Sequence, residues 1–213
     1  SRGYSNVYSN GASIENKGFE ADLSYRFIAT RNLNWEVTGT YTRVRNTVLD
    51  LAGVAGINLG GLSAVSARAV QGMPYGVLWG SPSLRKPDGT IVFDENGFPV
   101  QDAIEGVIAD PNPDWQGALS SVLKFKNISL SLLFETYQGA DIYAGTKAVL
   151  YDLGRWGASA QEITATRNLK DFRGNIIKIG ETFRGNIRDF GAGPVALTEA
   201  WYNGAGGFFS NGN

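Results

Sequence analysis

No cysteine and no histidine occur among the 213 residues, and together these absences remove much of enzyme chemistry. Without cysteine there are no disulfides and no thiolate metal sites. Without histidine, the commonest metal ligand and the commonest general base are both missing. An enzyme built on this chain would need paired carboxylates such as Asp141 and Asp152. The expectation is a non-enzyme with no cofactor and no metal. An excess of charge is lacking too: 19 Lys and Arg against 20 Asp and Glu leave a net charge of -1, which gives no electrostatic case for nucleic acid. No run approaches the roughly 20 apolar residues of a membrane-spanning helix. That excludes a helical span but not a β-barrel, whose strands need only about 9–11 alternating residues. The opening Ser1-Arg2-Gly3-Tyr4 is neither a signal peptide nor a start, and the other end trails off in Gly, Ser and Asn. Both ends therefore read as cuts.

What is present is period-two alternation. Phe19, Ala21, Leu23, Tyr25 and Phe27 share one face, opposite Glu20, Asp22, Ser24 and Arg26. After a short turn at 29–32, Leu33, Trp35, Val37, Gly39 and Tyr41 lie opposite Asn34, Glu36, Thr38, Thr40 and Thr42. A second pair follows. Trp115, Gly117, Leu119, Ser121, Leu123 and Phe125 alternate with Gln116, Ala118, Ser120, Val122, Lys124 and Lys126. Beyond the tight Lys126-Asn127 turn, Ile128, Leu130, Leu132, Phe134 and Thr136 lie opposite Ser129, Ser131, Leu133, Glu135 and Tyr137. Strands are thus expected at about 17–30, 33–50, 114–126 and 128–139.

A soluble sandwich also alternates, burying its apolar face in a core. Here the polar faces carry charges of both signs in mid-strand, as a water-filled lumen allows. Aromatics sit near strand ends, as with Trp115 and Phe125. Their ten-residue separation spans roughly 23 Å along the axis of a barrel whose strands rise about 3.3 Å per residue and tilt near 45°. That approximates the apolar band of an outer membrane, about 25 Å tall. Minimal turns on one side and long segments at 51–113 and 140–213 on the other fit the same picture, with the long loops outside the cell. The fold class expected is all-β: antiparallel strands of a large transmembrane β-barrel, in part, with long extracellular loops containing short helices. The competing reading is a soluble carbohydrate-binding β-sandwich with Trp79, Trp156 and Trp201 as a stacking platform.

Within the loops, residues 51–72 read as irregular and 73–80 as a short kinked strand. Turn signals at Pro87-Asp88-Gly89 and Glu95-Asn96-Gly97 flank a hairpin candidate, Thr90-Ile91-Val92-Phe93. Asp94, Glu95 and Asn96 are oxygen-rich, but their spacing matches no calcium loop and turns favour these residues. Helix is expected over Thr146–Leu153, and again from the capping box Ser159-Ala160-Gln161-Glu162 to about Asn168. Phe-Arg-Gly-Asn-Ile occurs at 172–176 and 183–187, which suggests two similar turns on one hairpin. Aromatics gather in these loops and offer stacking surfaces for sugars. Candidate substrate or cap contacts are Tyr75, Trp79, Asp141, Tyr143, Tyr151, Arg155, Trp156, Trp201 and Tyr202, with the two charged residues able to hydrogen-bond hydroxyls or carboxylates.

Several segments together resemble the SusC/RagA family of TonB-linked outer-membrane proteins. Asn10-Gly11-Ala12-Ser13-Ile14-Glu15-Asn16-Lys17-Gly18-Phe19-Glu20 resembles that family's Asn-Lys-Gly-aliphatic-Glu strand start. Trp35 followed by Arg45-Asn46-Thr47-Val48-Leu49-Asp50-Leu51 is similar to its next strand. Gln71-Gly72-Met73-Pro74-Tyr75-Gly76 resembles its Glu-Gly-Tyr-Pro-hydrophobic-Gly segment. Asp110-Pro111-Asn112-Pro113-Asp114-Trp115 resembles its Asn-Pro-Asp-Trp, and Gly139-Ala140-Asp141-Ile142-Tyr143 its Gly-Gly-Asp-Ile-Tyr. Gln71, Met73 and Ala140 depart from the pattern, and the plug domain, TonB box and closing strands are missing. The resemblance implies a late stretch of a barrel of about 22 strands in a Bacteroidetes-type outer membrane, crossing it many times and in contact with its lipid. It also implies energy supplied through TonB by way of a plug, and a SusD-like lipoprotein capping the mouth. Oligosaccharide or peptide would be bound between cap and barrel.

Overall fold

The computed structural model describes residues 11–62 and 65–205. Ser1–Tyr4, Asn10 of the first motif and the terminal Gly-rich stretch lie outside the described residues. Among the described residues antiparallel sheet dominates, with two short α-helices and one π-helical turn, Trp201–Ala205. The chain divides into two compact units, the first comprising residues 1–59, 68–77 and 109–142 and the second the remainder.

Unit 1 is built on four long strands: β1 (Ser13–Ala29), β2 (Leu33–Asp50), β7 (Trp115–Phe125) and β8 (Ile128–Gln138). They pair antiparallel in the order β1-β2-β7-β8. β1 begins at Ser13, ahead of its alternating stretch. Short polar turns make both hairpins. In the first, the Thr30 hydroxyl donates to the Leu33 carbonyl (2.8 Å) and accepts the Leu33 N–H (3.0 Å). In the second, Lys126 takes a left-handed φ of 51°, and its N–H donates to the Asn32 carbonyl at 2.8 Å, tying one turn to the other. The short connections therefore share one end of the sheet. A register shift between Arg26 and Ile28 leaves Phe27 as a bulge, a device that bends a strand and raises its local twist. No closed barrel forms among the described residues: β1 and β8 are the outer strands of this sheet.

Residues 51–72, read as irregular, instead contribute β3 (Gly56–Leu62) and β4 (Val65–Val70). With β5 (Val77–Gly80) and β6 (Gly106–Ala109) they form a second four-stranded sheet. The glycine content that suggested irregularity has a different cause. A Cβ on Gly61 would lie 2.5 Å from the Val65 carbonyl oxygen and 2.7 Å from the Ser66 Cα, so glycine here permits close approach of two backbones.

In unit 2, residues 83–101 fold back twice through bridges Ser83–Gln101, Arg85–Ile91 and Phe93–Pro99. The segment 90–93 is the centre of this meander. The Asp94 carboxylate accepts the N–H groups of Asn96 and Phe98, both at 2.9 Å, and so holds the second turn. Helix α1 spans Gly145–Asp152, where helix was expected. The capping-box helix is not observed. α2 covers only Gly157–Ala160, and the Ser159 hydroxyl donates back to the Trp156 carbonyl (3.0 Å) rather than capping forward. The β-branched Ile163 and Thr164 that follow belong to β9 (Glu162–Thr164), which pairs with β12 (Thr182–Asp189). The two copies of Phe-Arg-Gly-Asn-Ile also differ, contrary to the expectation of paired turns. The first leads through a turn held by buried Asp171 into β11 (Ile176–Ile177), partner of β10 (Leu169–Lys170). The second lies within β12, where a Cβ on Gly185 would collide with the Leu197 carbonyl. The last strand, β13 (Pro194–Thr198), is buried on both faces. Val195 and Leu197 join Phe98, Trp201 and Tyr202, while Ala196 joins Ala165 and Leu169.

Candidate functional site

Pairing within the first sheet sorts most of its side chains onto two faces, with Val122 and Leu133 on the polar one and Ser121 on the apolar one. Rows across the strands run Glu20-Thr42-Gln116-Tyr137, Asp22-Thr40-Ala118-Glu135, Ser24-Thr38-Ser120-Leu133 and Arg26-Glu36-Val122-Ser131. One face therefore collects hydroxyls, amides and charges. Ser24 and Thr38 share a hydrogen bond at 2.8 Å, and Arg26 pairs with Glu36 at 2.8 Å. The pair is exposed, so it contributes position more than stability. Two hollows open on this face: one of about 410 Å3 around Arg26, Asn34, Glu36, Val122 and Lys124, and one of about 110 Å3 around Thr40, Thr42, Gln116 and Glu135.

The opposite face is apolar, and among the described residues nothing covers its centre. Rows Leu23-Gly39-Leu119-Phe134 and Tyr25-Val37-Ser121-Leu132 occupy its centre. Leu23 is 75% exposed, Phe134 65%, and Leu119 and Leu130 about half. Val37 is half-buried within its own sheet. Soluble monomers rarely leave so continuous an apolar surface open. Aromatics bound it in two clusters. Towards the long-segment end, Tyr41 stacks on Trp115 (5.8 Å) and meets Phe19 (6.4 Å). Gly117 leaves room for the Trp115 ring, which reaches within 3.2 Å of where a Cβ would stand. Nearer the short turns, Phe27 stacks on Trp35 (4.6 Å) and meets Tyr25 edge-on (4.8 Å). Two polar groups interrupt the middle of this face, and they satisfy each other: the Trp35 indole N–H donates to the Ser121 hydroxyl at 3.0 Å. The bond leaves the indole N–H satisfied without water.

The motif residues converge at the long-segment end of the same sheet. The Asn46 side chain accepts the Tyr75 N–H (2.5 Å) and donates to the side-chain amide oxygen of Asn112 (2.9 Å). Asn112 in turn donates to the Tyr75 carbonyl (3.0 Å) and the Asp110 carboxylate (2.7 Å). Asp141 accepts the Asp110 N–H, and its own N–H returns to the Asp110 carbonyl, both at 2.9 Å. Arg45 pairs with Asp114 at 2.5 Å. Four segments distant in sequence are thereby clasped at the strand ends. Asn46 and Asn112 were not singled out as site residues from sequence, although both stand in motif segments.

The nine loop candidates divide accordingly. Tyr75 and Asp141 belong to the clasp in unit 1, the first with its ring exposed, the second with its carboxylate engaged. In unit 2, Trp201 (7% exposed) and Tyr202 (3%) are core residues, so neither offers a free stacking face. Tyr202 lies flat against Tyr151 at 4.8 Å, and Tyr151 meets Trp156 at 5.9 Å. Burial pushes the Tyr202 phenol up to about 12, the neighbouring Tyr151 adding to the rise and Arg188 opposing it. Arg155 and Trp156 remain exposed, with the Lys147 ammonium 5.5 Å from the Trp156 ring centre. Trp79 and Tyr143 are half-buried.

No family model matches the chain. In an alignment 164 positions long that covers 66% of this chain, it is 30% identical to the TonB-dependent receptor P26 of Formosa agariphila, of which the alignment covers 16%. Among solved structures, that of the RagAB peptide transporter aligns with 64% of this chain and 16% of its own, at 18% identity and a TM-score of 0.44. The matched proteins are a receptor and a transporter, and the chain spans only a small part of each. Over that part the chain is similar to a TonB-dependent receptor.

Proposed function

We propose that the chain forms part of the barrel wall of a SusC-like TonB-dependent transporter in a Gram-negative outer membrane. The observation that carries this reading is the two-faced sheet. Its apolar face is uncovered and bounded by stacked aromatics, while its other face holds charges and hydroxyls in register. Bilayer contact accounts for the first face, and a water-filled lumen for the second. Open edges on β1 and β8 suit a wall continued by further strands. A soluble sandwich would need a layer over Leu23, Leu119 and Phe134, and these residues are open.

In this reading the segments 51–113 and 140–213 stand on the extracellular side. Exposed Trp156 and Arg155 face a SusD-like lipoprotein or the cargo, an oligosaccharide or a peptide. TonB acts through a plug elsewhere in the complete protein. What these residues contribute is a fixed wall and a fixed origin for the loops, set by the clasp around Asn46 and Asn112. The test is depth-resolved: the complete protein in phospholipid vesicles, with a fluorophore on single cysteines placed at Leu23, Leu130, Ser24 or Ser120. Quenchers on lipid tails should dim the first two positions and leave the last two to aqueous quenchers. Equal quenching of all four by water-soluble agents would remove the proposal.

A further inference from the structure

The polar face carries two cations near its short-turn end, and they differ in how they are held. Arg26 gives its Nε–H and an Nη2–H to Glu36 Oε2, at 3.1 and 2.8 Å. That fixes the guanidinium plane while leaving three of its five donors unused. Lys124 stands opposite Asn34 on the neighbouring strand, and among the described residues no carboxylate lies within ion-pair distance of it. Both cations line the hollow of about 410 Å3, with Val122 as its apolar part. Asn34 is engaged below, donating to the Thr30 carbonyl at 3.0 Å. Summing Arg26, Lys124 and Glu36 leaves one net positive charge.

We propose that this hollow is a subsite for a carboxylate attached to an apolar carbon. Lys124 and the spare Arg26 donors hold the anion, Glu36 positions the guanidinium, and the Val122 methyls meet the adjoining carbon. A guanidinium fork matches the planar carboxylate, and the ammonium adds a point charge. Glu36 beside the site, with a single net charge overall, disfavours a dianion such as phosphate. The inference rests on the transporter reading, in which the remaining wall encloses this face and focuses its field. The carboxylate has two possible sources of one chemistry: imported cargo, or an acidic side chain elsewhere in the complete protein.

The experiment takes the complete protein in phospholipid vesicles, as wild type, Lys124→Gln and Arg26→Gln. In one arm, carboxyl-labelled benzoate is titrated and followed by carbon NMR line broadening. A cargo site binds benzoate in the wild type and weakens by about tenfold or more in each variant, the scale of a lost charge-assisted hydrogen bond. In the other arm, a carbodiimide joins amines to carboxylates in contact, and peptides are read by mass spectrometry. A resident acidic side chain yields an amide-linked pair containing Lys124, absent from Lys124→Gln. Either result carries the proposal and identifies the source. Benzoate that does not bind, or binds all three alike, with no Lys124-linked peptide, overturns it. Co-sedimentation with vesicles is read in every sample: protein that fails to insert overturns the transporter reading, whereas inserted protein with both arms negative overturns the subsite alone.

Discussion

Replacing Leu119 by arginine places a charge in the central row of the apolar face, between Gly39 and Phe134. If that face meets lipid, the substitution costs about 2–4 kcal/mol, the range for Arg or Lys at the midplane of an outer-membrane barrel. At 1.4 kcal/mol per decade this lowers the folding equilibrium constant by roughly thirtyfold to several hundredfold. Ser120→Arg, one residue along the strand, turns to the polar face and should cost close to nothing. The contrast depends on the environment, because Leu119 is already half exposed and in water an arginine there would be tolerated. Urea titrations of the complete protein with phospholipid vesicles, followed by tryptophan emission, read both variants. Equal midpoints for Leu119→Arg and Ser120→Arg would refute the assignment of the two faces.

Two further outcomes follow from the structure. Asn112→Ala removes the acceptor of Asn46 and the donor to Tyr75 and Asp110, so amide exchange should quicken at 71–76 and 109–114 while the paired core of β2 and β7 keeps its protection; unchanged exchange at both segments would show that the clasp does not anchor them. The Tyr202 phenol ionises near 10 when unfolded and only at about 12 when folded, so its neutral form stabilises the fold below pH 10 and that contribution is lost as pH rises from 10 through 12. The wild-type unfolding midpoint should therefore fall more steeply than that of Tyr202→Phe across this window, and parallel curves would contradict the burial argument.

The long strands were legible because each residue's neighbours two positions away share its environment. Leu23, Val37 and Leu119 announce one face, Ser24, Thr38 and Ser120 the other, and the pairing keeps these sets apart. What local pattern cannot carry is contact between distant segments. The bond from Trp35 to Ser121 gives a polar partner to the one serine among the apolar-face residues of β7. The motif residues gave family likeness, but not the fact that Asn46, Tyr75, Asn112 and Asp141 meet through a chain of hydrogen bonds. Local signals also misled where two structures compete for one sequence. Ser159 and Glu162 have capping-box spacing, yet pairing of Ile163 with Phe183 prevails. Trp201 and Tyr202 look like ligand platforms in sequence because an aromatic ring suits a core and a binding face equally well.

Because Asn46, near the end of β2, bonds to Asn112, just ahead of β7, the chain between them departs and returns at adjacent positions on the sheet. Closing such an excursion costs free energy that grows only logarithmically, about 0.6 kcal/mol for each doubling of its length. Residues 78–108, which lie outside the clasp, can therefore be lengthened or shortened with little effect on the four long strands. On the transporter reading proposed above, change in the loops is in this way uncoupled from the requirements of the wall.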